Sequence, residues 1–185
     1  MQYSAFAIVV LFALSGLSKA EQSYTVKNEA VECFSGDVQT IYHCELKLVG
    51  RQRLINGTIS LNEDMTSQHY TFQVEVFTSP LGDDQFRLLP MGVPRTGVCE
   101  GLRDLYTKEV QPSIIQGEHT NFPFVPEEGL CPIPKGEYYI KNLDFDTASL
   151  PNQIPRGIIK SVVKFFKDGV NIGGYVIRML VEDRE

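Results

Sequence analysis

Asp144 and Asp146 stand two residues apart in an extended stretch, so their carboxylates could share one face, as the acid and nucleophile or base of a glycosidase do. Acidic side chains are mostly solvated, and a pair at a strand end is the plainer reading. His43, His69 and His119 lie far apart, none with a neighbouring nucleophile. The chain has no G-x-S-x-G elbow, no H-E-x-x-H pair and no Gly-rich phosphate loop. No catalytic residue, no metal ligand and no cofactor is expected, and the chain reads as non-enzymatic.

Four cysteines, Cys33, Cys44, Cys99 and Cys131, could hold zinc or form two disulfides. Zinc sites favour C-x-x-C pairs or nearby His doublets, and neither occurs. The choice follows from the N-terminus. Residues 5–14 are wholly apolar, and Ser18 and Ala20 supply the small side chains a signal peptidase accepts. An anchor helix is the rival reading, but about ten apolar residues are too few for a bilayer, which needs about 20. Residues 1–20 are therefore expected to be a signal peptide and residues 21–185 a single secreted, extracellular domain.

An even cysteine number in an exported chain reads as two disulfides. Sequence order leaves three pairings open. The turn signal Ser35-Gly36-Asp37 favours Cys33–Cys44, stapling a first hairpin, and so Cys99–Cys131. Asn56-Gly57-Thr58 is an N-glycosylation sequon, so Asn56 should face solvent.

Those residues need a scaffold. The 185 residues are 43% hydrophobic and 22% charged, with a net charge of −6, which suits a globular domain. No Lys/Arg cluster offers a surface for nucleic acid or an anionic membrane, so neither is expected as a partner; a monomer is expected. Apolar residues alternate with polar ones along Tyr42–Leu48, Ile55–Leu61 and Tyr70–Val76, the period of half-buried antiparallel strands. Phe86 and Leu88 begin a shorter run.

Between them and the C-terminal strands, Val98, Leu102, Leu105 and Tyr106 predict one amphipathic helix over residues 98–110, with Thr96 as its cap and Pro112 as its stop. Residues 111–134 carry five prolines and the apolar run Phe122-Pro123-Phe124-Val125, an ordered loop by its aromatics. At the C-terminus, Ile159, Val163 and Phe165 must share a face with Tyr175, Ile177, Met179 and Val181. Odd must then pair with odd, which predicts a three-residue loop 167–169 with Gly169 forming a bulge. About eight strands, one helix and no βαβ alternation predict an all-β sandwich with a helical insertion.

Several motifs carry a family resemblance. Cys99 opens a short helix; Cys131-Pro132-Ile133-Pro134-Lys135-Gly136-Glu137-Tyr138 follows; then come Leu150-Pro151, Ile154-Pro155-Arg156-Gly157 and the last-strand opening Ile172-Gly173-Gly174-Tyr175. From Gly97 onward the sequence resembles the ML lipid-recognition superfamily, especially its ganglioside-activator-like and insect CheB-like secreted members. The resemblance covers roughly half of residues 21–185.

It implies a two-sheet immunoglobulin-like ML sandwich with a lipid-sized cavity, no catalytic activity, and a short helix and Pro-rich lid loop between the middle and C-terminal strands. The ganglioside activator bridges an early cysteine to its last strand; Gly173-Gly174 occupies that place here, which supports Cys33–Cys44. The CheB-like branch implies a role in gustatory or chemosensory detection of pheromones. On this reading Phe72, Val74, Val76, Val163, Phe165, Tyr175 and Ile177 line a pocket, and Leu102, Tyr106, Phe122 and Phe124 cover its mouth. The expected function is binding of a hydrophobic ligand, a lipid or pheromone-like molecule. The alternatives are an extracellular co-receptor docking on a membrane receptor or channel, and a lipid-presenting hydrolase cofactor.

Overall fold

A computed structural model describes residues 22–145, 147, 150 and 153–184. The expected signal peptide and Asp146 lie outside the described residues. Among the described residues, nine strands run in chain order: β1 (Tyr24–Ser35), β2 (Tyr42–Val49), β3 (Leu54–Leu61), β4 (Tyr70–Ser79), β5 (Arg87–Leu88), β6 (Val93–Gly97), β7 (Gly136–Leu143), β8 (Gly157–Lys167) and β9 (Val170–Asp183). They form two antiparallel sheets, a β-sandwich. The larger has the order β1-β9-β8-β4-β5, with β6 also pairing with β4; the smaller is β2-β3-β7. Between β6 and β7 lies a helical segment, Val98–Gly101 as α-helix (α1), Leu102–Val110 as π-helix and Gln111–Ser113 as a 3₁₀ turn.

The C-terminal hairpin differs from its expected form. Lys167 pairs with Val170, so the loop has two residues, Asp168 and Gly169, with φ of 47° and 85°. Positive φ at both positions is the type I′ turn that Asp-Gly favours. The odd-with-odd pairing is nonetheless reached. The register shifts after Phe166↔Asn171, leaving Ile172 as an extra residue, and Phe165↔Gly173, Val163↔Tyr175 and Ile159↔Met179 follow. Packing demanded the parity change, and a bulge inside β9 supplied it instead of the turn.

The disulfides are Cys33–Cys44 and Cys99–Cys131. The first is not a hairpin staple. β1 pairs with β9 along its length, in the other sheet from β2, so Cys33–Cys44 ties the two sheets together at one edge. The Leu46 N–H also donates to Cys33 Sγ, at 3.3 Å. The turn at residues 35–37 reverses the chain but carries it across to the facing sheet. Among the described residues, no helix is long and apolar enough to cross a membrane.

Candidate functional site

The helix sits where its apolar stripe can enter the space between the sheets. Val98, Leu102, Tyr106 and Val110 recur at intervals of four. An α-helix turns about 100° per residue, so each such step overshoots a full turn by about 40°. A π-helix, bonded i→i+5, winds more widely and undershoots. Switching from one to the other after Gly101 keeps all four side chains on one face. At the end of the π segment the Gln111 N–H donates to the Tyr106 carbonyl. Gly101 is required by contact: a Cβ there would lie 1.9 Å from Phe72 Cε1 on β4. Thr96 does not cap this helix; its hydroxyl donates to the Pro94 carbonyl, while the Cys99 N–H donates to Ser67 Oγ from a distant turn.

The Pro-rich loop is ordered by its polar side chains. The Gln111 amide accepts from the Val125 N–H and donates to the Val125 carbonyl, at 2.9 and 3.0 Å, as a strand neighbour would. Thr120 is buried: its hydroxyl donates to the Tyr139 carbonyl and accepts from the Phe122 N–H. Asn121 bonds Glu137 and Tyr139 on the same strand. Phe122 is thereby set edge-on between Tyr106 and Tyr138, with ring centroids 5.5 and 4.9 Å away. Cys99–Cys131 holds the far end of the loop to the start of the helix.

Sheets, helix and loop enclose two adjoining apolar cavities. The larger, about 220 Å³, is lined by the small sheet (Tyr42, Leu46, Ile55, Ile59, Leu61, Tyr138, Ile140, Leu143), by Phe165, Tyr175 and Ile177 of the large sheet, and by the helix and loop. The smaller, about 150 Å³, lies between the helix and Phe72, Val74 and Val163. Val98, Leu102, Tyr106, Val110, Ile133, Phe165 and Tyr175 line both, so the helix divides one inter-sheet space into two lobes. Among the described residues, none that lines either lobe carries a charge. Burial pushes the Tyr106 and Tyr175 phenols up to about 12 and raises Tyr42 further, so all three stay protonated near neutral pH.

Of the residues named from sequence, Leu102, Tyr106, Phe122, Phe165, Tyr175 and Ile177 line the larger lobe. Phe72, Val74 and Val163 line the smaller. Val76 lines neither and packs with the Tyr24 and Ile159 core cluster. Phe124 also lies outside the lining and is 62% exposed, whereas its neighbour Val125 is buried, so alternate residues of the apolar run face opposite ways. The lining of the small sheet was not named in advance, although the alternation of Tyr42–Leu48 and Ile55–Leu61 carried the signal.

Asn56 lies on the outer side of β3, between the lining residue Ile55 and Gly57, and its side-chain carbonyl accepts from the Asn142 N–H. Asp144 is exposed just past β7. His43, His69 and His119 lie beside Glu45, Asp168 and Glu118, away from the cavity. Among the described residues, no group of three or more His, Cys, Asp or Glu side chains could hold a metal ion.

Residues 71–161 match the model of a family described as a protein of unknown function, DUF1091. The DUF1091 match begins in β4, spans the helix, the Pro-rich loop and β7, and ends in β8, so it includes part of the cavity wall, while β2, β3 and β9 lie outside it. No curated protein matches the chain.

Proposed function

We propose that the protein is a secreted, non-enzymatic ML-like binding protein for a hydrophobic ligand, working as a carrier or presenter of lipid or pheromone-like molecules in arthropod chemosensory fluid. The observation that carries the reading is the apolar space of about 220 Å³ between the sheets, with no charged residue among the described residues that line it. A plain packed sandwich would interdigitate its two inner faces there. The DUF1091 family is associated with ML-like domains in arthropod proteins, which supports the choice of ligand class and setting. Two disulfides suit an extracellular protein.

A ligand burying about ten methylenes gains about 8 kcal/mol at about 0.8 kcal/mol each. Ordering costs of several kcal/mol reduce this, so micromolar affinity or weaker is expected. Mass spectrometry of organic extracts from the folded, secreted protein, with displacement of a fluorescent fatty-acyl probe, tests the reading. A co-purifying lipid and saturable displacement support it; empty extracts together with no probe binding overturn it. A second reading, an extracellular partner of a membrane receptor, is favoured by Ile115 and Phe124, which leave the Pro-rich loop 56% and 62% exposed. It gains if the protein binds no lipid.

A further inference from the structure

We propose that the two lobes together hold one unbranched chain of about 15 carbons, threaded past the helix, and that Val74 and Val163 set the longest chain accepted. The inference rests on the cavity reading above and specifies the size and shape of its ligand. A dry apolar cavity of about 150 Å³ admits one benzene ring, so each carbon needs about 25 Å³. On that measure the larger lobe, about 220 Å³, has room for about nine carbons, and the smaller, about 150 Å³, for about six. Either lobe alone takes only a short chain. Both together fall well short of a lipid with two long chains.

The lobes are arranged for a bend. Leu102, Tyr106 and Val110 of the helix, with Phe165 and Tyr175 of the large sheet, border both lobes, so a chain running from one to the other passes among these side chains. None of the π-helical residues Leu102–Val110 is fully buried, which leaves Leu102 and Val110 room to change rotamer as it passes. A flexible methylene chain can follow such a path. A rigid fused-ring ligand cannot.

The wall opposite the helix is of another kind. Val74 and Val163 line the smaller lobe alone, and they face each other in the register of β4 and β8. Val93 of β6 pairs with Val74 on its other side. Strands paired on both sides yield less than the helix does, so the volume of these two valines limits how far the chain extends.

The test measures displacement of the apolar dye N-phenylnaphthylamine by a series from methyl octanoate to methyl octadecanoate, in the wild type, Val74→Phe and Val163→Ala. In the wild type, affinity should rise about fourfold per methylene, the equivalent of about 0.8 kcal/mol, and level off near methyl tetradecanoate. Val74→Phe adds four side-chain carbons and should bring the levelling point forward by about four carbons. Val163→Ala removes two and should move it out by about two. Methyl octanoate, which the larger lobe accommodates, should bind equally well to all three proteins. The same esters are compared throughout, so their solubilities cancel. If Val74→Phe does not fold, Val163→Ala decides alone. A levelling point that the folded variants leave unmoved confines the chain to the larger lobe, overturns this inference and leaves the cavity reading standing. Tighter binding of 1,2-ditetradecanoylglycerol than of methyl tetradecanoate does the same. Failure of the dye and every ester to bind overturns both.

Discussion

Along one edge of the sandwich, a disulfide joins β1 of the large sheet to β2 of the small one, and a backbone N–H of β2 reaches the same sulfur. Along the small sheet's other edge, β7 meets the Pro-rich loop through the side chains of Thr120 and Asn121, and the space between the sheets is taken by the helix. None of the π-helical residues Leu102–Val110 is fully buried, whereas β8 and β9 bury Ile159, Ile172 and Val181 almost completely. One region is closed by strand pairing, covalent linkage and dense packing. The other is closed by an element that touches the core along one stripe and keeps room beside it. Stability should reside in the first and ligand exchange in the second.

Truncating a side chain in each region is the most direct way to break this contrast. Ile159→Ala, at 1% exposure between the sheets, should cost about 4 kcal/mol, because the lost contacts and the cavity left behind both count. Leu102→Ala should cost about 1 kcal/mol, since its side chain already borders open volume, but should speed release of the dye. Chemical denaturation and stopped-flow displacement measure the two effects. A Leu102→Ala cost equal to that of Ile159→Ala would make the helix an integral part of the core.

The disulfides separate the regions next. Cysteines 11 and 32 residues apart give about 3 and about 4 kcal/mol on the loop-entropy model. Converting Cys33 and Cys44 to Ser should lower global stability by about 3 kcal/mol and leave dye exchange nearly unchanged. Converting Cys99 and Cys131 to Ser should release residues 111–134 to hydrogen exchange and accelerate dye exchange. The reverse assignment would mean that the cavity opens at the β1/β2 edge.

The same contrast explains what the sequence disclosed. Period-two runs such as Tyr70–Val76 state which residues face inward, and the parity of Phe165 against Tyr175 correctly required odd to meet odd. Where the compensating residue would go was not legible. A bulge at Ile172 and a bulge at the turn satisfy the same pattern, and Asp168-Gly169 prefers the type I′ geometry locally. The helix was visible in the spacing of Val98, Leu102 and Tyr106, but intervals of four fit α and π winding about equally. The structure uses both, α through Gly101, which packs against Phe72, and π from Leu102. Val76 and Phe124 show the limit of reading a pocket from apolar character: both have the right side chain, and neither borders the cavity.

The smallest effect expected concerns a polar tie between the sheets. Lys167, the last residue of β8, donates to both carboxylate oxygens of Glu63, two residues past β3, at 2.8 Å each. Those hydrogen bonds to Lys167 are the main reason the Glu63 carboxyl is held below its usual range, Tyr70 adding to them. A carboxyl lowered in the folded state contributes stability above its unfolded pKa and loses it as pH falls, because the unfolded chain then takes up the proton more readily. The wild type should therefore exceed Glu63→Gln in denaturation midpoint at about pH 7, with the difference shrinking towards about pH 3. The described lining has no such dependence built into it: among the described residues it carries no carboxylate or histidine, and its phenols stay protonated. Affinity for methyl tetradecanoate should thus be flat between about pH 5 and about pH 8. If affinity instead tracks the Glu63 titration, the tie between the sheets controls the width of the cavity, and the fixed and yielding regions are a single coupled unit.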